Sequence, residues 1–107
     1  MSFYIKQNDT SPSMLAVLKD GYDVVIDLTG TTVRFHMRLV GSNTHMIDSS
    51  ADIVEEDNGI VRYIWQTGDT SVVGSYEAEF EITYSDGSIE TFPNNGYIAV
   101  EITGDIT

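Results

Sequence analysis

Two stretches of alternating polarity constrain this chain more than any other feature. Along residues 76–84, Tyr76, Ala78, Phe80, Ile82 and Tyr84 fall on one side of an extended chain, and Glu77, Glu79, Glu81 and Thr83 fall on the other. Along residues 31–40, Val33, Phe35, Met37 and Leu39 oppose Arg34, His36 and Arg38. Successive side chains of a pleated strand leave opposite faces, so a period of two buries one face and hydrates the other. Both segments are therefore expected to be strands with one wet face. The two wet faces are expected to be neighbours, because Arg34 and Arg38 would then relieve the repulsion among the three glutamates.

The rest of the chain divides into further short strands. Residues 3–6 form a first candidate, ended by the turn-prone run Gln7-Asn8-Asp9-Thr10-Ser11-Pro12. Residues 14–18 are apolar, and residues 13–19 could form a turn of helix but carry no sustained 3.6-residue period. Lys19-Asp20-Gly21 marks a turn, and residues 24–28 read as another strand. Residues 45–47 and 51–54 read as one interrupted strand or two edge strands. Asp57-Asn58-Gly59 and Ser85-Asp86-Gly87 read as hairpin turns, since Asn and Gly accept positive φ. Residues 60–66 place Val61, Tyr63 and Trp65 on one face, and residues 97–103 do the same for Ile98, Val100 and Ile102. About seven to nine short strands at roughly 8–12-residue spacing predict an all-β fold, an immunoglobulin-like antiparallel β-sandwich. Val33, Phe35, Met37, Trp65, Phe80, Ile82 and Val100 are its expected core.

A length of 107 residues and a hydrophobic fraction of 41% suit one sandwich domain spanning residues 1–107. No cysteine is present, so neither a disulfide framework nor a thiolate zinc site is expected. Seventeen acidic residues against five basic ones give a formal net charge of -12, which repels phosphate backbones and argues against nucleic acid as a partner. No segment approaches the roughly 20 apolar residues of a membrane span, so no membrane partner is expected.

The residues that could carry chemistry have sufficient structural readings. His36 and His45 show no metal-ligand spacing, and His36 is expected on a wet face between two arginines, a setting that disfavours a bound cation. The cluster Asp48, Asp52, Glu55, Glu56 and Asp57 lacks the register of a calcium loop and reads as a solvated segment. Glu77, Glu79 and Glu81 alternate as an exposed strand face should, without singling out an acid–base pair. No nucleophile elbow or phosphate-binding glycine loop occurs. No catalytic, cofactor-binding or metal residue is therefore assigned, no cofactor is expected, and the chain is not expected to be an enzyme.

The order of several segments resembles the N-terminal domain of the phage baseplate upper protein family. The words that carry the resemblance are residues 6–12, Asp27-Leu28-Thr29-Gly30 running into residues 32–38, and Gly59-Ile60-Val61-Arg62-Tyr63 with Trp65. They continue through residues 74–81, Tyr84-Ser85-Asp86-Gly87, and Thr91-Phe92-Pro93 followed by Gly96-Tyr97. The resemblance implies an immunoglobulin-like β-domain serving as a tail or baseplate building block. Family members continue into a helical or receptor-binding-protein-anchoring region, and this sequence ends at Thr107. If the chain is complete, the domain is expected to stand alone, without a role in holding receptor-binding proteins.

These readings converge on a noncatalytic virion structural protein that docks in a phage tail or baseplate through protein–protein contacts with other virion proteins and with copies of itself. It is expected in the virion, and in the host cytoplasm during assembly. The alternatives are a head or tail-tube decoration protein and a carbohydrate-binding or adhesin module, the latter favoured by a platform of exposed aromatics beside amides. Candidate contact residues are Phe3, Tyr4, Ile5 and Lys6, in a segment that could equally be an ordinary first strand, together with Tyr22 and Tyr97.

Overall fold

The computed structural model describes residues 2–106. Among the described residues nine strands form two sheets: β1 (Ser2–Lys6), β2 (Met14–Val17), β3 (Thr32–Leu39), β4 (Ile47–Ser50), β5 (Asp52–Glu55), β6 (Ile60–Tyr63), β7 (Gly74–Thr83), β8 (Ile89–Phe92) and β9 (Ile98–Thr103). The larger sheet runs β1-β9-β7-β3-β4, with β8 also paired to β7, and the smaller runs β2-β6-β5. The expected β-sandwich is present, and the alternative of a helical turn near residue 14 is replaced by β2.

The two alternating segments form the centre of the larger sheet. β3 and β7 pair antiparallel from Thr32 opposite Thr83 to Leu39 opposite Tyr76. Their inward rows, Val33, Phe35 and Met37 with Tyr76, Ala78, Phe80 and Ile82, are buried. The smaller sheet covers them with Met14, Ala16, Val61 and Tyr63, and Trp65 follows from just beyond β6. Phe35 of β3 stacks on Tyr63 of β6 with ring centroids 4.3 Å apart and meets Trp65 edge-on at 5.8 Å, so the aromatic side chains join the two layers. All seven expected core residues are buried.

The larger sheet is mixed where a purely antiparallel sandwich was expected. β1 pairs with β9 in parallel, Ser2 opposite Ala99 and Lys6 opposite Thr103. Parallel neighbours need a long crossover, and here nearly the whole chain supplies it. Ile5 is buried, Phe3 lies 5.8 Å from Trp65, and Asn8 N–H donates to Thr70 O at 3.0 Å. The N-terminal segment is thus the first strand of the sandwich.

Residues 24–28 do not form the expected strand; only Val25 makes a bridge, to Lys19. Asp20 Oδ1 accepts the backbone N–H groups of Tyr22 and Val24 at 2.8 and 3.1 Å, and Asp27 Oδ1 accepts that of Thr29 at 3.0 Å. These local side-chain bonds take donors that a ladder would use. Ile26 and Leu28 instead reach outward, donating to Leu18 O at 2.9 Å and Glu56 O at 2.8 Å. The ambiguous region after β3 resolves into two strands in different sheets, with the crossing at Ala51, whose N–H donates to Val33 O. The Asp57-Asn58-Gly59 turn is a single 3-10 turn, closed by Gly59 at φ 65°.

Candidate functional site

The wet face of the larger sheet collects charged and aromatic side chains from four strands. The register places Arg34 opposite Glu81, His36 opposite Glu79 and Arg38 opposite Glu77, so the two wet faces are neighbours as expected. Arg38 Nε donates to Glu77 Oε1 at 3.2 Å. Arg34 turns the other way: its Nε donates to Asp48 Oδ1 and its Nη2 to the Asp48 backbone oxygen, both at 2.9 Å. The fork of a guanidinium favours that two-point contact over the single carboxylate across the strand. The hydrogen bond from Arg34 holds the Asp48 carboxyl below its ordinary range, against the opposing effect of desolvation.

His36 departs from its expected wet setting, being only 9% exposed. His45, in the loop after β3, folds back so that the two imidazoles stack with centroids 4.8 Å apart. His36 Nε2 lies 3.1 Å from Asp48 Oδ1 on β4, and its Nδ1 lies 3.8 Å from Glu79 Oε1 on β7. The ring therefore sits between two carboxylates as well as between two arginines. Among the described residues, no group of three His, Asp or Glu side chains is arranged to hold a metal ion.

Beside this cluster, Tyr97 joins β8 to β9 and packs under Arg38. The guanidinium carbon stands 5.1 Å from the ring centroid, and Nη2 donates to the Tyr97 hydroxyl at 3.0 Å. The phenol oxygen first, then Glu77, raises the Arg38 pKa further above its ordinary value. A shallow depression next to Tyr97 is lined by Glu79, Thr91, Asn94 and Asn95.

The sequence-derived contact candidates lie on different elements. β1 turns Phe3 and Ile5 toward the core and Tyr4 and Lys6 to the outer side; Tyr4 is 69% exposed, and Lys6 Nζ lies 3.4 Å from Gly104 O. Tyr22 stands in the turn after β2 at 89% exposure, and Tyr97 is half-buried under Arg38. Reading the sequence missed a different surface, the outer side of the smaller sheet, where Leu15 and Val17 of β2 are exposed. Residues 14–18 are apolar throughout, so no alternation marks which side chains face out. Lys19, Arg34, Arg38 and Arg62 are bonded to Asp23, Asp48, Glu77 and Asp52 respectively, which leaves most of the seventeen acidic residues without a Lys or Arg partner among the described residues.

Comparison with known proteins adds two findings. The family model of the BppU N-terminal domain matches residues 2–95. Among solved structures, CopC from Methylosinus trichosporium OB3b is similar with a TM-score of 0.51 and 14% sequence identity, over 99% of this chain and 87% of that chain. Likeness at that identity concerns the fold alone. No curated protein matches the sequence.

Proposed function

This chain belongs to the BppU N-terminal domain family, which makes it a phage baseplate structural protein, and from that premise we propose that it is a noncatalytic virion component working by docking. Residues 1–107 act as one sandwich domain that assembles in the host cytoplasm with other virion proteins and with copies of itself. The observation that carries the docking surface is the edge of the larger sheet: β1 has β9 as its sheet neighbour on one side, and Tyr4 projects from it at 69% exposure. An edge strand offers unpaired backbone groups to a neighbouring chain, and an exposed aromatic beside it supplies apolar area for an anchor.

Mass spectrometry of purified particles tests the structural role, and it fails if the chain is absent from them. Tyr4→Glu tests the edge, because the side chain lies outside the core while the added charge opposes an apolar contact. The expected result is loss of incorporation with an unchanged circular dichroism spectrum. Normal incorporation of the folded variant would remove β1 as the contact.

A sugar-binding module is the second reading, favoured by Tyr97 beside Asn94, Asn95 and Glu79. It ranks lower because Arg38 stacks against the Tyr97 ring and uses its hydroxyl. Glycan binding lost on Tyr97→Ala, in a chain absent from particles, would reverse the order.

A further inference from the structure

The outer side of the smaller sheet is apolar and uncovered. Leu15 and Val17 project from β2 at 56% and 48% exposure, Ile64 follows β6 at 44%, and Val54 stands at the β5 bulge at 43%. Met14 and Ala16 of β2 and Val61 and Tyr63 of β6 fill the inner side. Across the middle of this outer surface runs one ion pair, with Arg62 of β6 opposite both Leu15 and Asp52 in the ladder. That pair is long, Arg62 Nη2 to Asp52 Oδ2 at 3.4 Å, and the buried Arg62 Nε has no hydrogen-bond partner among the described residues.

We infer that this surface joins two copies of the chain face to face about a two-fold axis. The inference does not rest on the phage assignment. Charge selects the occupant. At a formal net charge of -12, two copies repel through most approaches, and the larger sheet's wet face would set Glu79, Glu81 and Glu101 against their equivalents. Across the smaller sheet the carboxylate of Asp52 is matched by Arg62, and Glu55, opposite Ile60 at the end of β5, is the other carboxylate on that side, so two copies meet there with less repulsion than across the larger sheet. A two-fold axis is self-complementary: a contact from Arg62 of one copy to Asp52 of the other occurs twice. The guanidinium, loosely held within its own chain, gains a carboxylate with better geometry, while Leu15, Val17 and Ile64 lose contact with water. The charged pair fixes the register and the apolar side chains supply the affinity.

Sedimentation velocity of the whole chain, from micromolar to millimolar concentration, tests this. The expected result is a monomer–dimer equilibrium weakened about tenfold or more by Leu15→Asp, with the circular dichroism spectrum retained. Charge exchange provides a second test that does not depend on an apolar change. Arg62→Asp alone and Asp52→Arg alone each lose the dimer, because every cross-contact then joins like charges. Mixing the two variants restores it: the introduced aspartate of one copy faces the introduced arginine of the other, and the native Asp52 of the first faces the native Arg62 of the second. A wild-type chain that stays monomeric at millimolar concentration overturns the proposal. So does a dimer that survives Leu15→Asp, or a mixture of charge variants that stays monomeric, since the contact would then lie elsewhere or the ion pair would serve only its own chain.

Discussion

Replacing Gly59 with Ala should be among the most damaging small changes in this molecule. The residue closes the turn into β6 at φ 65°, where a side chain costs about 1 kcal/mol relative to glycine. A second penalty comes from its surroundings: a Cβ built there would lie 2.8 Å from Leu18 O, 2.9 Å from Ile26 O and 3.1 Å from Ile26 N. These are backbone atoms. Leu18 N–H donates to Gly59 O at 2.8 Å and Ile26 N–H donates to Leu18 O at 2.9 Å, so relieving the clash displaces a bonded three-segment junction. Forced backbone shifts cost about 1–3 kcal/mol, and a weakened hydrogen bond about 0.5–1.5 kcal/mol more. The sum is about 2.5–5.5 kcal/mol. Gly30 is the control: its φ is 73°, but a Cβ there meets nothing within 4 Å, so Gly30→Ala should cost only about 1 kcal/mol. Urea unfolding followed by the fluorescence of Trp65, which is buried at 2% exposure, measures both. If the two variants lose the same stability, the close approach contributes nothing and the reasoning fails.

Phe80→Ala should cost about 3–5 kcal/mol in the same assay, since the ring is fully buried and lies 5.2 Å from Phe35; a loss under about 1 kcal/mol would mean that the core collapses around the gap. Alkaline titration should find the phenols of Tyr63 and Tyr84 resistant to ionisation. Burial and then the bonded carboxylates Asp69 and Glu90 raise them above the ordinary value of 10.0, Tyr84 to about 12. A phenol whose folded pKa is raised stabilises the fold fully below pH 10, and that contribution disappears as pH climbs toward 12; absorbance of phenolate and unfolding should therefore rise together. Acid acts with the opposite sign. Asp48, held down first by Arg34, and Asp86, held down first by Ser88, have folded values below 3.8, so their contribution is complete above pH 3.8 and is lost as pH falls below it. Asp48→Asn should flatten the stability profile in that window, and an unchanged slope would show that its contact with Arg34 is not linked to folding.

Much of the sandwich was legible because its central strands obey a period of two. Once β3 and β7 were read with one wet face each, their core rows and the neighbouring charges followed. What escaped was information that period cannot carry. Residues 24–28 have the apolar content of a strand, but Asp20 and Asp27 bind local backbone donors and the ladder does not form. Arg34 was placed near the correct strand, yet its partner is Asp48 across the other neighbour, a choice fixed by two-point geometry. His36 looked hydrated because alternation puts it on the same strand face as Arg34 and Arg38; the stacking of His45 depends on how a loop folds back, which no alternation signals. The outer apolar surface of the smaller sheet was hidden for the opposite reason, since β2 is apolar on both sides.

The parallel pairing of β1 with β9 carries a consequence for the order in which the molecule is built. During synthesis the strand from Ser2 to Lys6 leaves the ribosome before the other strands of this sandwich, but its hydrogen-bonding mate, Ile98–Thr103, leaves after them. The hairpin β5–β6 and the neighbouring pair β7–β8 join strands close in sequence, so they can close locally as they emerge. β1 must wait, with Phe3 and Ile5 unsheltered, until β2 to β8 have been made, and the larger sheet gains this edge only when β9 has emerged.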